Sequence, residues 1–154
     1  MANARATINI NIPLADNISQ DAILRGVRGA TVEAKNLVID KLSQPGRGRT
    51  YTHQFYTDNQ GRLRVGGLRP GGPHTASAPG DPPAVDNDVL RGSTQSEVTT
   101  TPSGAVGEVS VNTEYAAYLE FGTEKIAPRP FMSAVLREGA GRIRDAFVRF
   151  ARIP

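Results

Sequence analysis

One long apolar stripe constrains this chain more than anything else in it. From Ser19 to Ser43, Ile23, Leu24, Val27, Ala30, Thr31, Ala34, Leu37, Val38 and Leu42 recur at three- and four-residue spacing. That period belongs to a helix with one buried face, here about seven turns long. Asp16 or Ser19 supplies a capping oxygen at its start, and Gln44-Pro-Gly46 stops it. Such a helix needs a sheet or a second helix to cover its stripe. Gly26 and Gly29 sit within it. Each costs about 1 kcal/mol relative to alanine, and each permits a close approach. Val32 and Ile39 fall off the stripe on a mostly charged side. They are either two stray apolar residues or a second seam for a neighbouring subunit.

A second stripe ends the chain. Met132, Val135, Leu136, Ile143, Ala146, Phe147 and Phe150 share one side of a helix expected from about Pro130 to Ala151, with arginines and acids on the other. Strand periods fill the rest. Residues 7–13 alternate, Ile8, Ile10 and Ile12 against Thr7, Asn9 and Asn11. Thr50 to Thr57 and Arg62 to Val65 read as a hairpin across the turn Asp58-Asn-Gln-Gly61. Two further strands, about Ser93–Thr101 and Ala105–Asn112, meet at Pro102-Ser-Gly104. The expected fold class is α+β: an antiparallel sheet packed against a long N-terminal helix and a C-terminal helix, as one domain over residues 1–154. An extended hairpin and a long Pro/Gly loop, together spanning residues 47–88, stand outside that core. Gly66 to Pro83 is too rich in Gly and Pro to form regular structure, and a loop of that length is commonly functional or disordered.

Between strands and last helix lies the stretch from Tyr115 to Phe131, read as a rigid corner. Tyr115, Tyr118 and Leu119 share a face of a short helical run, and Gly122 sits where that run would stop. Pro128 and Pro130 bracket Arg129 and enforce an extended entry to the next helix. Phe131 falls off the stripe of its own helix, so it has no obvious pocket within the chain. Tyr115, Tyr118, Phe121 and Arg129 are residue types that anchor interfaces. The corner is therefore expected to meet another subunit through Tyr115, Tyr118, Glu120, Phe121, Arg129 and Phe131, with Val32 and Ile39 as the second seam. The competing reading is that the rings seal the base of the sheet.

Chemistry is sparse. His53 and His74 do not pair at ligand spacing, and the chain has no cysteine, so no metal is expected. Asp81, Asp86 and Asp88 read as turn formers. No nucleophile elbow, phosphate-cradling Gly-Lys-Ser/Thr loop or dinucleotide fingerprint is present. Glu120 is read as the ion partner of Arg129, or else as an acid with a raised pKa beside aromatics. No enzyme activity and no cofactor are expected. The net charge of +3, from 18 Lys+Arg against 15 Asp+Glu, is too small to argue nucleic-acid binding by itself. Arg62 and Arg64 share one strand face near Tyr51 and Phe55, with Arg69 close by. Three readings follow: a solvated face, a nucleic-acid contact, or a hairpin reaching toward a neighbour or a DNA-filled lumen. No apolar run approaches the roughly 18 residues of a membrane span, and no basic-then-apolar leader begins the chain, so a soluble protein made in the cytoplasm is expected.

Two blocks carry a family resemblance. Glu120-Phe-Gly-Thr followed by Pro128-Arg-Pro-Phe131 resembles the signature of tailed-bacteriophage neck proteins of the Hong Kong 97-type tail-component family. Ala76-Ser-Ala-Pro-Gly-Asp-Pro-Pro-Ala-Val-Asp86 and Leu90-Arg-Gly-Ser93 resemble that family's proline-rich loop and the strand start after it. Where the family has a glycine before the Leu-Arg step, this chain has Asp88 and Val89. The resemblance implies a structural virion subunit at the head–tail junction, made in the bacterial host. It implies a ring, hexamer or dodecamer, around a channel for double-stranded DNA held without sequence specificity. Its partners would be other copies of itself, head-side connector or adaptor proteins, and tail terminator or tail tube proteins, with Pro79, Asp81, Pro82 and Pro83 touching neighbouring proteins and Arg62, Arg64 and Arg69 facing channel or neighbour. The alternatives are a tail terminator capping the tube and a stand-alone nucleic-acid-binding module.

Overall fold

Ser19 starts the long helix. Its Oγ accepts from Ala22 N at 3.2 Å, which satisfies one of the donors a helix start leaves open. The computed structural model describes residues 6–13, 17–69, 72–84 and 88–152; the cap expected at Asp16 and the turn expected at Asp86 lie outside them. Along the chain run β1 (Ala6–Pro13), α1 (Gln20–Leu42), β2 (Thr50–Tyr51), β3 (His53–Thr57), β4 (Leu63–Leu68), β5 (His74–Thr75), α2 (Val89–Gly92), β6 (Thr94–Thr101), β7 (Gly104–Val111), α3 (Ala116–Phe121) and α4 (Met132–Ala151).

The main sheet is antiparallel, in the order β1-β7-β6. Its register sets Ile8 against Val109, Ile10 against Gly107 and Ile12 against Ala105. The isoleucine row of the alternating N-terminal strand therefore faces the helices. α1 lies across β7 and β6, and α4 packs beside α1 and reaches β1. This is an α+β fold with both long helices on one face of an antiparallel sheet. The core holds Ile8, Val38, Val109, Val111, Phe131 and Val135, all essentially inaccessible. Burial of each such side chain contributes about 1.5–3 kcal/mol. No helix among the described residues is long and apolar enough to cross a membrane.

Glycines set the helix–helix distance. A Cβ on Gly26 would stand 2.6 Å from the edge of the Phe147 ring, and one on Gly29 would fall inside Phe150. In return, Gly139 of α4 receives Leu37 of α1, 2.6 Å from where its Cβ would be. Each helix therefore lodges a side chain in a glycine notch of the other, which offsets the propensity cost of those glycines. Gly107 does the same beneath Thr31, whose hydroxyl donates to Val27 O at 2.7 Å.

Three expectations require correction. Gly66 to Pro83 is not wholly irregular. β4 runs through Gly66 and Gly67 to Leu68, and β5 pairs Thr75 with Thr50 and His74 with Tyr51. Main-chain bonds from Gly48 N to Ala76 O (2.7 Å), Ala76 N to Arg49 O (2.9 Å) and Gly80 N to Pro128 O (3.1 Å) fasten the segment further. Its polar groups pair with a distant strand, which no local pattern reports. Secondly, Leu90-Arg-Gly-Ser93 does not begin a strand. Val89–Gly92 is a helical turn, and β6 starts at Thr94. Asp88 before it adopts φ 60, the left-handed conformation that glycine takes freely. Finally, the α4 stripe is narrower than its sequence suggests. Leu136 and Phe150 are about half exposed, whereas Met132, Val135, Ile143 and Ala146 are buried.

Gly29→Ala is expected to lower stability by about 1–3 kcal/mol despite its better helix propensity, because the new methyl meets Phe150 down to its Cβ. Gly141→Ala, with nothing within 4 Å, should instead raise stability by about 0.5–1 kcal/mol. Urea unfolding of the two variants beside wild type distinguishes them; equal effects would mean that the glycine notch does not set the packing.

Candidate subunit-contact surface

The corner is built from the inside outward. α3 ends at Gly122, φ 76, whose amide donates to Tyr118 O at 2.9 Å. The glycine stop expected there is what the structure has. Thr123 N then donates to Ile126 O at 2.8 Å, and Thr123 Oγ1 accepts from Lys125 N and Ile126 N. This small turn reverses the chain. Arg129 N donates to Leu119 O at 2.7 Å and ties the returning segment to α3.

Glu120 completes the corner, in a role its sequence context did not suggest. Its Oε2 accepts from Phe131 N at 2.8 Å and Met132 N at 3.0 Å. Oε1 accepts from Ser133 N at 2.9 Å and Ser133 Oγ at 2.6 Å. A carboxylate only 5% exposed thus caps α4, at the end where the helix dipole favours negative charge. The expected pair with Arg129 does not form. Phe131 occupies the N-cap position and makes no side-chain cap bond, so the open amides are served from α3 instead. Arg129 is half-buried, and its Nε has no hydrogen-bond partner among the described residues.

Phe131 also differs from expectation. It is 0% exposed and the largest of the fully buried side chains. Because it precedes the first turn of α4, the helical wheel does not describe its direction. It enters the core with Ala116, Val111 and Met132. Glu120 and Phe131 are therefore interior residues of the fold, and the contact role expected of them is corrected. The other rings point outward: Tyr115 and Tyr118 are exposed and Phe121 is 73% exposed, with aliphatic Ile126 exposed beside them. The corner so divides into a buried inner half and an apolar outer half. Of the second seam, Val32 is exposed and Ile39 half-buried.

The hairpin is a second exposed apolar surface. β3 and β4 form a two-stranded sheet of their own. Phe55 stands opposite Val65, Thr57 opposite Leu63, and, beyond a register shift, His53 opposite Leu68. Phe55, Leu63, Val65 and Leu68 thus share one face, and Leu63 and Leu68 are 71% and 73% exposed. The alternation of Leu63 and Val65 about Arg64 is the sequence signal for this face. Arg62 stands one residue before β4, and it turns to the same side as Arg64. Arg62 Nε and Arg64 Nε donate to Asp58 Oδ2 at 3.2 and 2.9 Å. Asp58 Oδ1 accepts the amides of Gln60 and Arg62, both at 2.9 Å. The Arg62 amide above all, then the Arg64 guanidinium, the Gln60 amide and the Arg62 side chain hold the Asp58 carboxyl below its ordinary value against the opposing effect of burial. Arg69 sits half-buried at the base, its amide bonded to Thr52 O at 3.1 Å.

Of the loop residues expected to meet other proteins, Pro79 is exposed and Pro82 half-buried. Asp81 is engaged within the chain by Arg47, at 3.0 and 3.2 Å. Pro83 is buried and so belongs to the fold. A cavity of about 610 Å³ lies between the end of α1, α4 and this loop, with Lys41 bound to Glu138 and Arg47 to Asp81 at its wall. The Lys41 ammonium holds the Glu138 carboxyl below its usual range. A second cavity, about 360 Å³, lies between Pro83, Leu90 and Arg91 on one side and Tyr115, Leu119 and Arg129 on the other. Among the described residues, no group of three or more His, Cys, Asp or Glu is placed to hold a metal ion.

No protein family's sequence profile, no curated protein and no solved structure matches the chain.

Two outcomes test this division of the corner. Glu120→Ala strips the cap from buried amides and is expected to cost about 3 kcal/mol or more, and Phe131→Ala about 3–5 kcal/mol. Phe121→Ala should leave unfolding of the dilute protein nearly unchanged. A large loss for Phe121→Ala, or none for Glu120→Ala, would reverse the assignment of inner and outer halves.

The Asp58 cluster makes its own prediction. Its folded pKa is depressed, so the stability it contributes is complete above the ordinary aspartate value and is lost as pH falls through the folded one. The hairpin is therefore expected to loosen below about pH 4. By carboxyl NMR titration, Arg64→Ala should raise the Asp58 midpoint toward the ordinary value; an unmoved midpoint would remove Arg64 from the cause.

Proposed function

We propose that this chain is a structural subunit of a tailed-phage neck, assembling as a ring around the DNA channel that joins head to tail. The observation that carries the reading is the way the two resembling blocks come together. Gly80 of the proline-rich block donates its amide to Pro128 O of the other block, and residues of both line the same 360 Å³ cavity.

The exposed surfaces fit a subunit that is completed by neighbours. An apolar hairpin face and an aromatic corner both remain in solvent, and apolar patches of this kind mark sites of protein contact. A tail terminator would present similar surfaces. The stand-alone nucleic-acid module has less behind it, because Arg62 and Arg64 already share the Asp58 carboxylate.

Negative-stain images of the purified protein at high concentration are expected to show rings with a central hole. Particles of monomer size only, at every concentration tried, would overturn the proposal.

A further inference from the structure

We infer that the β3–β4 hairpin of one copy docks its apolar face on the Tyr118–Phe121–Ile126 outer corner of a second copy. The inference rests on the ring reading above and names the two surfaces that would make the ring. A two-stranded hairpin alone is marginally stable in water. This one nonetheless holds Phe55, Leu63, Val65 and Leu68 on one uncovered face. The chain's other concentration of exposed large apolar residues around a single turn is the corner. Leu63 and Leu68 on the hairpin and Phe121 on the corner are the most exposed side chains of the two patches, as residues that seat on a partner would be.

Charge favours a second copy as the occupant. The hairpin carries Arg62 and Arg64 against the single carboxylate of Asp58 and so keeps a positive excess. From Glu114 to Phe131 the corner holds Glu114, Glu120 and Glu124 against Lys125 and Arg129 and keeps a single negative charge. Like patches would repel, which disfavours hairpin on hairpin or corner on corner. Unlike surfaces in contact make a head-to-tail junction, and a repeated junction of that kind closes into a ring when its rotation permits. Within one subunit both patches stay exposed, so they do not cover each other.

Two interface variants and the native lack of cysteine make the test. Leu63→Glu/Leu68→Glu spoils the hairpin, and Phe121→Glu spoils the corner; circular dichroism checks that each still folds. By sedimentation velocity, wild type is expected to assemble, and each variant alone should associate about 30-fold or more weakly. An equimolar mixture of the two variants has one intact hairpin and one intact corner, so it should form a one-to-one heterodimer and nothing larger. The chain has no cysteine, so Leu63→Cys and Phe121→Cys subunits, mixed and oxidised, should cross-link to each other in preference to themselves. This second measurement stands even if the glutamate variants fail to fold. Variants that assemble like wild type, a mixture that stays monomeric with both partners folded, or cross-linking that favours like pairs would overturn the docking and leave the ring reading intact. Wild type that stays monomeric throughout would overturn both and would leave the hairpin face to a different protein.

Discussion

A single carboxylate joins α3 to α4 in this fold. Glu120 stands at the end of α3 and receives three amides and a hydroxyl from the start of α4. A helix start leaves its first amides without partners, and buried amides are costly to leave so. α4 has no capping side chain of its own, so its direction depends on where α3 delivers that carboxylate. Phe131 enters the core between the same two elements. The cap and the plug therefore require each other: the bonds to Glu120 aim Phe131 inward, and burial of Phe131 excludes water from those bonds.

The rest of the architecture follows from where α4 is held. Gly26 and Gly29 of α1 receive Phe147 and Phe150, and Gly139 of α4 receives Leu37. Such notches tolerate little displacement, since interiors are close-packed. α1 in turn covers β7 and β6, so the sheet, α1 and α4 form one mutually constrained unit. The Asp58 cluster is the hairpin's local equivalent. It closes the turn with two amides and two guanidinium contacts and gives the hairpin a fixed shape although little of the core reaches it.

The corner has an inner half that is buried and an outer half that is exposed. Glu120, Gly122 and Phe131 hold the inner half together. Tyr118, Phe121 and Ile126 are presented outward by the same rigid turn. A contact surface on a turn fixed in this way loses little entropy when a partner arrives.

Much of this was legible in the amino-acid sequence. The long helix with its Ser19 cap, the alternating N-terminal strand, the Asp58–Gly61 turn and the Gly122 stop all depend on spacing or turn chemistry within a few residues. That short range is why they can be read without coordinates. Residues more distant in the chain were settled only by the tertiary structure. Glu120 could be seen as a carboxylate beside aromatics, but its partners lie 11 to 13 residues away across two prolines. Phe131 looked displaced because a helical wheel describes helical residues, and it stands one residue before the helix. His74 and Thr75 became a strand because Tyr51 and Thr50 lie beside them, and Arg62 and Arg64 were drawn to Asp58 by the fold of the turn. In each case the deciding partner is brought near by packing, and packing is a property of the whole chain.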